Sequence, residues 1–399
     1  MTLQPIFERR GDNARRRTCM LMITHKCNLN CTYCYETHKD GQEMSFAMAK
    51  TILMKEFDFV ERSDKFDEIE IDFMGGEPLM NFPLIKQVVE WIEGNTPRIP
   101  YICFMTSNGT LFSSEIKEWF EKHRDTIIPC ISYDGTSDMQ VVNRGAGAKN
   151  IDLGFFIKNW PNQGFHMTIS KETLPNLVRG IIKLQRMGGA LEAALAQGIN
   201  WTKDDAVLFL EQLRLLANEY LSDNTLTPIS LLTRQLFVNA STSEGQMKYC
   251  GTGTGMVTYE NDGKSYGCHL FSPIVLGDKA VEIGEFNWDD ESIGNDEECS
   301  TCVLKHYCPT CMGFNYRFRG SLAKRDKNAC HMHLASLLAA CEFQIKYLVQ
   351  RGTLNTDDDA AHAKLALQTY QVLCGFNFPD SKAPFSINKE RKGGDNNES

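Results

Sequence analysis

The sequence predicts an α/β protein whose strands run parallel, in a sheet or a barrel, followed by a small cysteine-rich domain. Two observations carry this. Five strand-length apolar runs alternate with segments of helical period, the pattern of successive βαβ units. From Ser241 the composition changes to Gly, Thr, Ser and Cys with short hairpin-like segments.

Taken in order, Cys19 to Thr24 is an apolar run without polar alternation, as expected of a strand buried on both faces. Ser45 to Glu61 repeats apolar residues at Met48, Ile52, Phe57 and Val60 and predicts a helix; Ile69 to Phe73 returns to strand pattern. The alternation continues with helix Pro83 to Glu93, strand Tyr101 to Thr106, helix Ser113 to His123, strand Ile127 to Tyr133, helix Asp152 to Trp160, strand Phe165 to Ser170 and helix Leu174 to Met187. Ala190 to Ala196 is made of helix formers, yet Gly188-Gly189 and Gly198 bound it at strand length, so it is read as strand six. Asp204-Asp205 cap a helix whose Leu210, Leu213, Ala217 and Tyr220 share a face. Met256 to Glu260 and Lys264 to His269 form a hairpin across Asn261-Asp262-Gly263. From about His331 a helix carries Leu334, Leu337, Leu338, Cys341, Ile345 and Leu348 on one stripe. The expected units are a basic lead-in (1–18), the α/β part with its helical extension (19–240), the cysteine-rich domain (241–331), a C-terminal helical segment (332–376) and a disordered tail (377–399), whose composition lacks the apolar residues to fold.

At 399 residues the chain can bury a sizeable core. No apolar run approaches the ~20 residues needed to span a bilayer, and Met1 to Arg17 is too charged for a signal peptide, so the expectation is a cytoplasmic protein without a membrane partner. Fifteen cysteines in such a chain point to metal ligation rather than a disulfide framework. Five of them, Cys19, Cys103, Cys130, Cys341 and Cys374, lie in apolar patterns and are expected to act as small core side chains. A net charge of −9 argues against a nucleic-acid partner. Arg9, Arg10, Arg15, Arg16 and Arg17 make a basic exception that reads either as a grip for an acidic peptide or RNA or as a solvated arm.

The chemistry concentrates first in His25 to Glu36, where Cys27, Cys31 and Cys34 fall within eight residues. Their spacing suits a loop wrapped around a bulky soft-metal object such as an iron–sulfur cube, and three thiolates would leave one iron open to an outside ligand. Zinc, or three unrelated buried thiols, are the plainer readings. The pattern Cys-x3-Cys-x-Tyr-Cys closely resembles the motif of the radical S-adenosylmethionine (SAM) superfamily. That resemblance implies catalytic Cys27, Cys31 and Cys34 on a [4Fe-4S] cluster whose open iron is chelated by SAM, with Tyr33 at the cofactor.

Met74-Gly75-Gly76-Glu77-Pro78 ends strand two, on the side of a parallel barrel where ligand sites gather. By itself it is equally well a tight turn. Beside the cysteine loop it resembles the GGEP motif, which implies that Gly75, Gly76 and Glu77 hold the SAM amino group. Ser107-Asn108-Gly109-Thr110 and Ser132-Tyr133-Asp134-Gly135 crown the next two strands and resemble superfamily segments, implying that Ser107, Asn108 and Asp134 line the cofactor. Arg144 matches an arginine often directed at the SAM carboxylate, and Ser170 is expected at the ribose.

The second cysteine group comprises Cys250, Cys268, Cys299, Cys302, Cys308, Cys311 and Cys330. Cys299-x2-Cys302-x5-Cys308-x2-Cys311 resembles a pair of zinc knuckles, but its five-residue gap is shorter than the ~15 residues usual in a zinc ribbon. The whole set resembles the SPASM domain, the auxiliary-cluster tail of radical SAM enzymes that modify peptides and proteins. The resemblance implies Cys299, Cys302, Cys308 and Cys330 on one auxiliary cluster, and Cys250, Cys268 and Cys311 on the other. Two features depart from that pattern: only Pro309-Thr310 separate the last pair, and the frequent extra cysteine after the first is absent. His269 stands where the sulfatase-maturating branch carries an acidic base and is the candidate catalytic residue here; the cluster of Cys250, Cys268 and Cys311 is one thiolate short, and His269, one of the five other cysteines, solvent or a substrate thiol would complete it, an open iron facing the substrate being the expectation.

Together these resemblances imply a partial (β/α)6 barrel, a SPASM domain and a C-terminal helix, holding three [4Fe-4S] clusters and SAM. The implied activity is hydrogen abstraction from a ribosomally made precursor peptide by a 5′-deoxyadenosyl radical, ending in a carbon–carbon or thioether crosslink. The implied partners are that peptide, an electron donor such as flavodoxin or ferredoxin, and a separate leader-recognition protein unless the barrel's own helices or the Leu334 to Leu348 region serve. A sulfatase-maturating formylglycine synthase is the alternative enzyme; a non-catalytic iron–sulfur or zinc protein is the alternative of another class.

Overall fold

The computed structural model describes residues 15–95, 97–236, 250–305, 307–350 and 356–375. In chain order the elements are β1 (Arg16–Thr24), α1 (Phe46–Arg62), β2 (Glu68–Gly75), α2 (Phe82–Asn95), β3 (Tyr101–Ser107), α3 (Ser114–Lys122), β4 (Ile127–Ile131), α4 (Ser137–Arg144), α5 (Leu153–Asn159), β5 (Phe165–Ile169), α6 (Leu177–Arg186), β6 (Leu191–Leu195), α7 (Lys203–Ser222), α8 (Ser230–Thr233), β7 (Met256–Tyr259), β8 (Ser265–Tyr266), α9 (Pro273–Leu276), α10 (Met312–Arg319), α11 (Cys330–Gln350) and α12 (Asp357–Cys374). This is an α/β fold on a mostly parallel sheet.

Six strands run in the order β4-β3-β2-β1-β7-β8, and β5 pairs with β6 in a second sheet. All pairs are parallel except β7 with β8. A parallel bridge between Ser132 and His166 carries the array from β4 to β5. Every residue Cys19, Leu21, Ile69, Ile71, Phe73, Cys103, Met105 and Ile127 is buried in one core with the helices. Burial on that face makes the strand register specific, since a one-residue slip would turn these side chains away from the helices.

The opposite face of β1 and β2 carries Met20, Met22 and Met74, which pack with Cys268, Phe271, Trp288 and Met312 in a second core. The cysteine-rich region is thus joined to the α/β part by packing, and also by backbone, because Thr18 to Leu21 pairs with Met256 to Tyr259. Strand β7 covers an edge of β1 that would otherwise expose a row of unpaired amides and carbonyls. The hairpin turn holds Gly263 at φ +82°, a left-handed conformation that suits glycine.

Local signals account for most boundaries. Ser45 caps α1 by accepting from Met48 N at 3.2 Å, and Thr202 with Asp205 forms a capping box at α7. β6 forms despite its helix-forming residues because pairing with β5 outweighs weak local propensity.

Five expectations need correction. Strand β1 starts at Arg16, so Arg15, Arg16 and Arg17 are not a solvated arm: they pair with Asp67, with Glu68 and Glu70, and with buried Glu56. Arg9 and Arg10 lie outside the described residues, as do 241–249 and the tail 377–399. Helix α4 was not anticipated, and the C-terminal segment holds two helices, α11 and α12. Cys374 is exposed rather than a core residue, since it closes the last turn of α12, whereas Cys19, Cys103, Cys130 and Cys341 are buried. The Leu334 to Leu348 stripe is not a free surface: Leu334, Leu337, Leu338, Cys341 and Leu348 are buried, and α11 packs on α7, α8 and α12.

Candidate functional site

The Cys27 loop leaves the C-terminal end of β1 and is held from several sides. From β2, Gly76 N donates to Thr24 O at 3.0 Å and Glu77 N to Lys26 O at 2.9 Å. A Cβ on Gly75 would lie 2.3 Å from Thr24 O, and one on Gly76 would lie 2.5 Å from Lys26 O and 2.9 Å from the Cys27 Cβ. The two glycines are therefore required by the approach of this chain's own loop, quite apart from any ligand. From beyond β3, Asn108 Nδ2 donates to Asn28 Oδ1 at 2.9 Å, and Asn28 Nδ2 to Thr110 Oγ1 at 2.8 Å. From α4, the Asn143 carbonyl accepts from Thr32 N at 2.8 Å.

Behind the loop, buried His25 bridges Asp40 at 2.7 Å and Glu260 at 2.9 Å, tying the loop to the β7–β8 hairpin. Burial lowers the His25 pKa, but the two carboxylates more than offset this and raise it.

The three thiols are half-buried and free of disulfides. Burial pushes Cys31 up to about 11, opposed by the Arg144 guanidinium and reinforced by the charges of Cys34 and Cys27. Burial also raises Cys27, opposed by a backbone donor at Leu29 and by Lys39. Lys39 Nζ lies 3.5 Å from Cys34 Sγ. Nearby cations suit thiolates that must be deprotonated to bind metal. Among the described residues no three His, Cys, Asp or Glu side chains converge tightly enough for a single metal ion. A cubane does not need such convergence, because it distributes its ligands over separate corners.

The rim residues form two buried hubs. The Glu77 carboxylate accepts from Ser107 Oγ at 2.7 Å, Asn108 N at 2.7 Å and Leu79 N at 3.1 Å. Burial raises its pKa against these three donors. Asp134, fully buried, accepts from Tyr33 Oη at 2.5 Å, Asn143 Nδ2 at 3.0 Å, Thr168 N at 2.9 Å, and Arg144 Nε and Nη2 at 3.0 and 3.1 Å. The Arg144 guanidinium also lies 5.4 Å over the Tyr33 ring. Ser170 Oγ donates to Asn143 Oδ1 at 2.7 Å. The structure therefore brings together every rim residue expected from sequence, but Glu77 and Asp134 bind protein donors, and Arg144 is committed to Asp134.

Sequence reasoning missed Asn143, which links loop, hub and Ser170, because nothing marks one asparagine of an unanticipated helix. It also missed Glu36, a buried carboxylate beside Cys34 whose pKa burial pushes up to about 7, against Lys39 and His25. Its position at the end of the cysteine loop was the available signal.

In the C-terminal half, Cys299, Cys302, Cys308 and Cys330 act on one another electrostatically; burial and its three neighbours push Cys330 up to about 12. Cys250, Cys268 and Cys311 form a second such group. Tyr35 lies between this trio and Cys34, within the field of Cys34, Cys268 and Cys311. Its hydroxyl is 3.2 Å from His269 Nε2. Burial pushes His269 down to about 4, and its Nδ1 is buried without a partner among the described residues. Arg317 reaches the Tyr35 and Val275 carbonyls and Thr37, closing the contact between loop and cysteine-rich region. A cavity of about 710 Å³ lies elsewhere, lined by α6 and α7. None of the cysteines lines it.

Residues 11–132 match the family described as 4Fe-4S single cluster domain. The chain is 36% identical over 164 residues to an uncharacterized protein of Methanocaldococcus jannaschii, covering 40% of this chain and 54% of that relative, about half its length. It is 22% identical over 347 residues to the radical SAM cyclopropyl synthase TigE of Paramaledivibacter caminithermalis, covering 79% of this chain and 72% of that one. Native anSMEcpe with bound AdoMet shares the fold at a TM-score of 0.60 and 16% identity, over 86% of this chain and 100% of that one. The same protein with AdoMet and the Kp18Cys peptide gives a TM-score of 0.58 at 15% identity, over 85% and 99%. With its cysteine loop, its iron–sulfur match and these similarities, the chain is related to the radical SAM/SPASM enzymes that its motifs resemble.

Proposed function

We propose that this protein is a radical SAM peptide maturase that takes hydrogen from a ribosomally made precursor peptide and leaves it crosslinked. The observation that carries the reading is the Cys27, Cys31 and Cys34 loop seated among Glu77, Asn108, Asp134 and Arg144 at the C-terminal ends of parallel strands. The reading takes β1 to β6 as a partial (β/α)6 barrel and residues 250–331 as a SPASM domain. Cys27, Cys31 and Cys34 would hold the SAM-binding [4Fe-4S] cluster, Cys299, Cys302, Cys308 and Cys330 one auxiliary cluster, and Cys250, Cys268 and Cys311 another. When bound, cluster and SAM supply a carbon-centred radical able to take hydrogen from an unactivated C–H bond.

The chain's own residues provide position. Asp134 fixes Arg144, Tyr33 and Asn143 in one hub and so holds the loop that carries Cys31. Gly75 and Gly76 let that loop close on β2, while Arg144 and Lys39 balance thiolate charge. Glu77, Ser107, Asn108 and Ser170 are the groups offered to SAM. A peptide substrate is also supported by the fold shared with anSMEcpe, which binds the Kp18Cys peptide. The electron donor is taken to be a flavodoxin or ferredoxin, and leader recognition a separate protein's task. Co-expression with a candidate short peptide tests the function. Loss of two hydrogens from the peptide's mass, dependent on Cys31, is expected; an unmodified peptide alongside active SAM cleavage would remove peptide crosslinking while keeping the radical chemistry.

A further inference from the structure

We propose that Lys327 sets the electron affinity of the cluster that Cys299, Cys302, Cys308 and Cys330 would hold, by donating a hydrogen bond to the Cys299 sulfur. The inference rests on the proposed ligand set and adds a tuning residue to it. Lys327 Nζ is 2.9 Å from Cys299 Sγ. The ammonium is clamped there by Asp296 Oδ2 at 3.0 Å, with Glu298 Oε2 at 3.5 Å.

Asp296 is itself fixed. It accepts from Arg325 N at 2.9 Å, and from Glu298 N at 3.1 Å at the start of the short helical turn Glu297–Cys299. One carboxylate thus positions both the thiol and its cationic donor. Arg325, buried, adds a second positive charge in the field of Cys308 and Cys302.

The physical consequence follows from charge. A [4Fe-4S] cluster accepting one electron gains one negative charge, spread over iron and sulfur; no proton moves and no bond breaks. An N–H donor and a positive charge next to a ligand sulfur favour the reduced form and raise the potential. Asp296 and Glu298 cancel part of that charge, but they bind the ammonium, whereas the ammonium's hydrogen bond acts on the sulfur directly. At the other cysteine group the Thr252 hydroxyl lies 2.9 Å from Cys250 Sγ, and the Arg319 charge acts on Cys311.

The test is an EPR-monitored redox titration of the reconstituted full chain, with dithionite as the one-electron reductant. The quartet signal is identified as the one changed by Cys330→Ala. In Lys327→Met its midpoint falls by about 60 mV, a tenfold loss in the reduction equilibrium for a one-electron couple, while the other midpoints stay in place. Lys327→Arg keeps most of the wild-type value. Wild-type protein labelled with 15N-lysine shows a nitrogen coupling on the quartet signal in pulsed EPR. An unmoved midpoint at unchanged iron content, or an equal shift of every cluster, overturns the tuning role. Should Lys327→Met lose iron, absence of the 15N coupling in wild-type protein overturns it instead. If no signal responds to Cys330→Ala, the ligand set fails first, and the tuning role falls with it.

Discussion

Around Cys268 and Cys311 the chain packs Met20, Met22, Met74, Phe271, Trp288 and Met312, whereas around Cys299 and Cys308 it places Asp296, Lys327 and Arg325. The first surroundings are mostly apolar, though Cys250 is exposed and Arg319 acts on Cys311; they are continuous with the Met20, Met22 and Met74 face of β1 and β2, and Tyr35, next to Cys34, packs against them. The second are charged and set against the start of α11. One short cysteine-rich region thus offers two environments. An apolar shell with three thiols favours a site whose remaining ligand can come from outside, and a charged shell with four thiols favours a closed site tuned by its donors.

The largest expected difference between them is catalytic. Cys268→Ala is expected to abolish formation of crosslinked peptide while leaving SAM cleavage at the Cys27 loop, scored by 5′-deoxyadenosine without product. A variant that still makes product would move the substrate-facing role away from the trio.

Next comes packing. Trp288 fills the apolar shell so tightly that a Cβ on Gly253 would lie 2.1 Å from its ring and one on Gly267 2.8 Å. Trp288→Ala should cost about 3 to 5 kcal/mol, seen in a denaturant melt, and should loosen iron held by the trio more than iron held by the quartet. Equal iron loss from both would mean that the two shells are one cooperative unit.

Sequence made much of this legible, and for identifiable reasons. Runs such as Cys19 to Thr24 and Ile69 to Phe73 read as strands because parallel strands are apolar on the helix-covered face. Cysteine spacing exposed the loop, since three thiols so close have few structural uses. The rim residues were found by their place after strands, but not their bonds: that Glu77 accepts from Ser107, Asn108 and Leu79 depends on contacts between separate βα units. Pairing of β7 with β1, 238 positions apart at Thr18 and Met256, leaves no local trace. Helix α4 is eight residues long and mostly polar, too short for periodicity to mark it, and with it the Asn143 and Arg144 contacts stayed hidden.

Those bonds make Glu77→Gln a smaller but double effect. Losing charge-assisted acceptors costs about 1 to 3 kcal/mol and leaves an amide facing the Ser107 and Asn108 donors, so stability and SAM affinity should fall together. Calorimetry with SAM, beside a melt, separates the two; a drop in stability alone would assign Glu77 to scaffolding.

At the small end is Lys264 with Glu282, an exposed pair at 3.2 Å in the hairpin region. Lys264→Ala should change stability by less than about 1 kcal/mol and leave every cluster potential unmoved. It is the control for Lys327, which differs from it in touching a cysteine sulfur.

The most direct measurement is 5′-deoxyadenosine release from SAM by anaerobically reconstituted protein under dithionite, wild type beside Cys31→Ala. Radical SAM chemistry at the Cys27, Cys31 and Cys34 loop predicts release by wild type, none by the variant, and about a dozen iron atoms per chain in the wild type. Undiminished release by Cys31→Ala would contradict it, as would a fully iron-loaded wild type that leaves SAM intact.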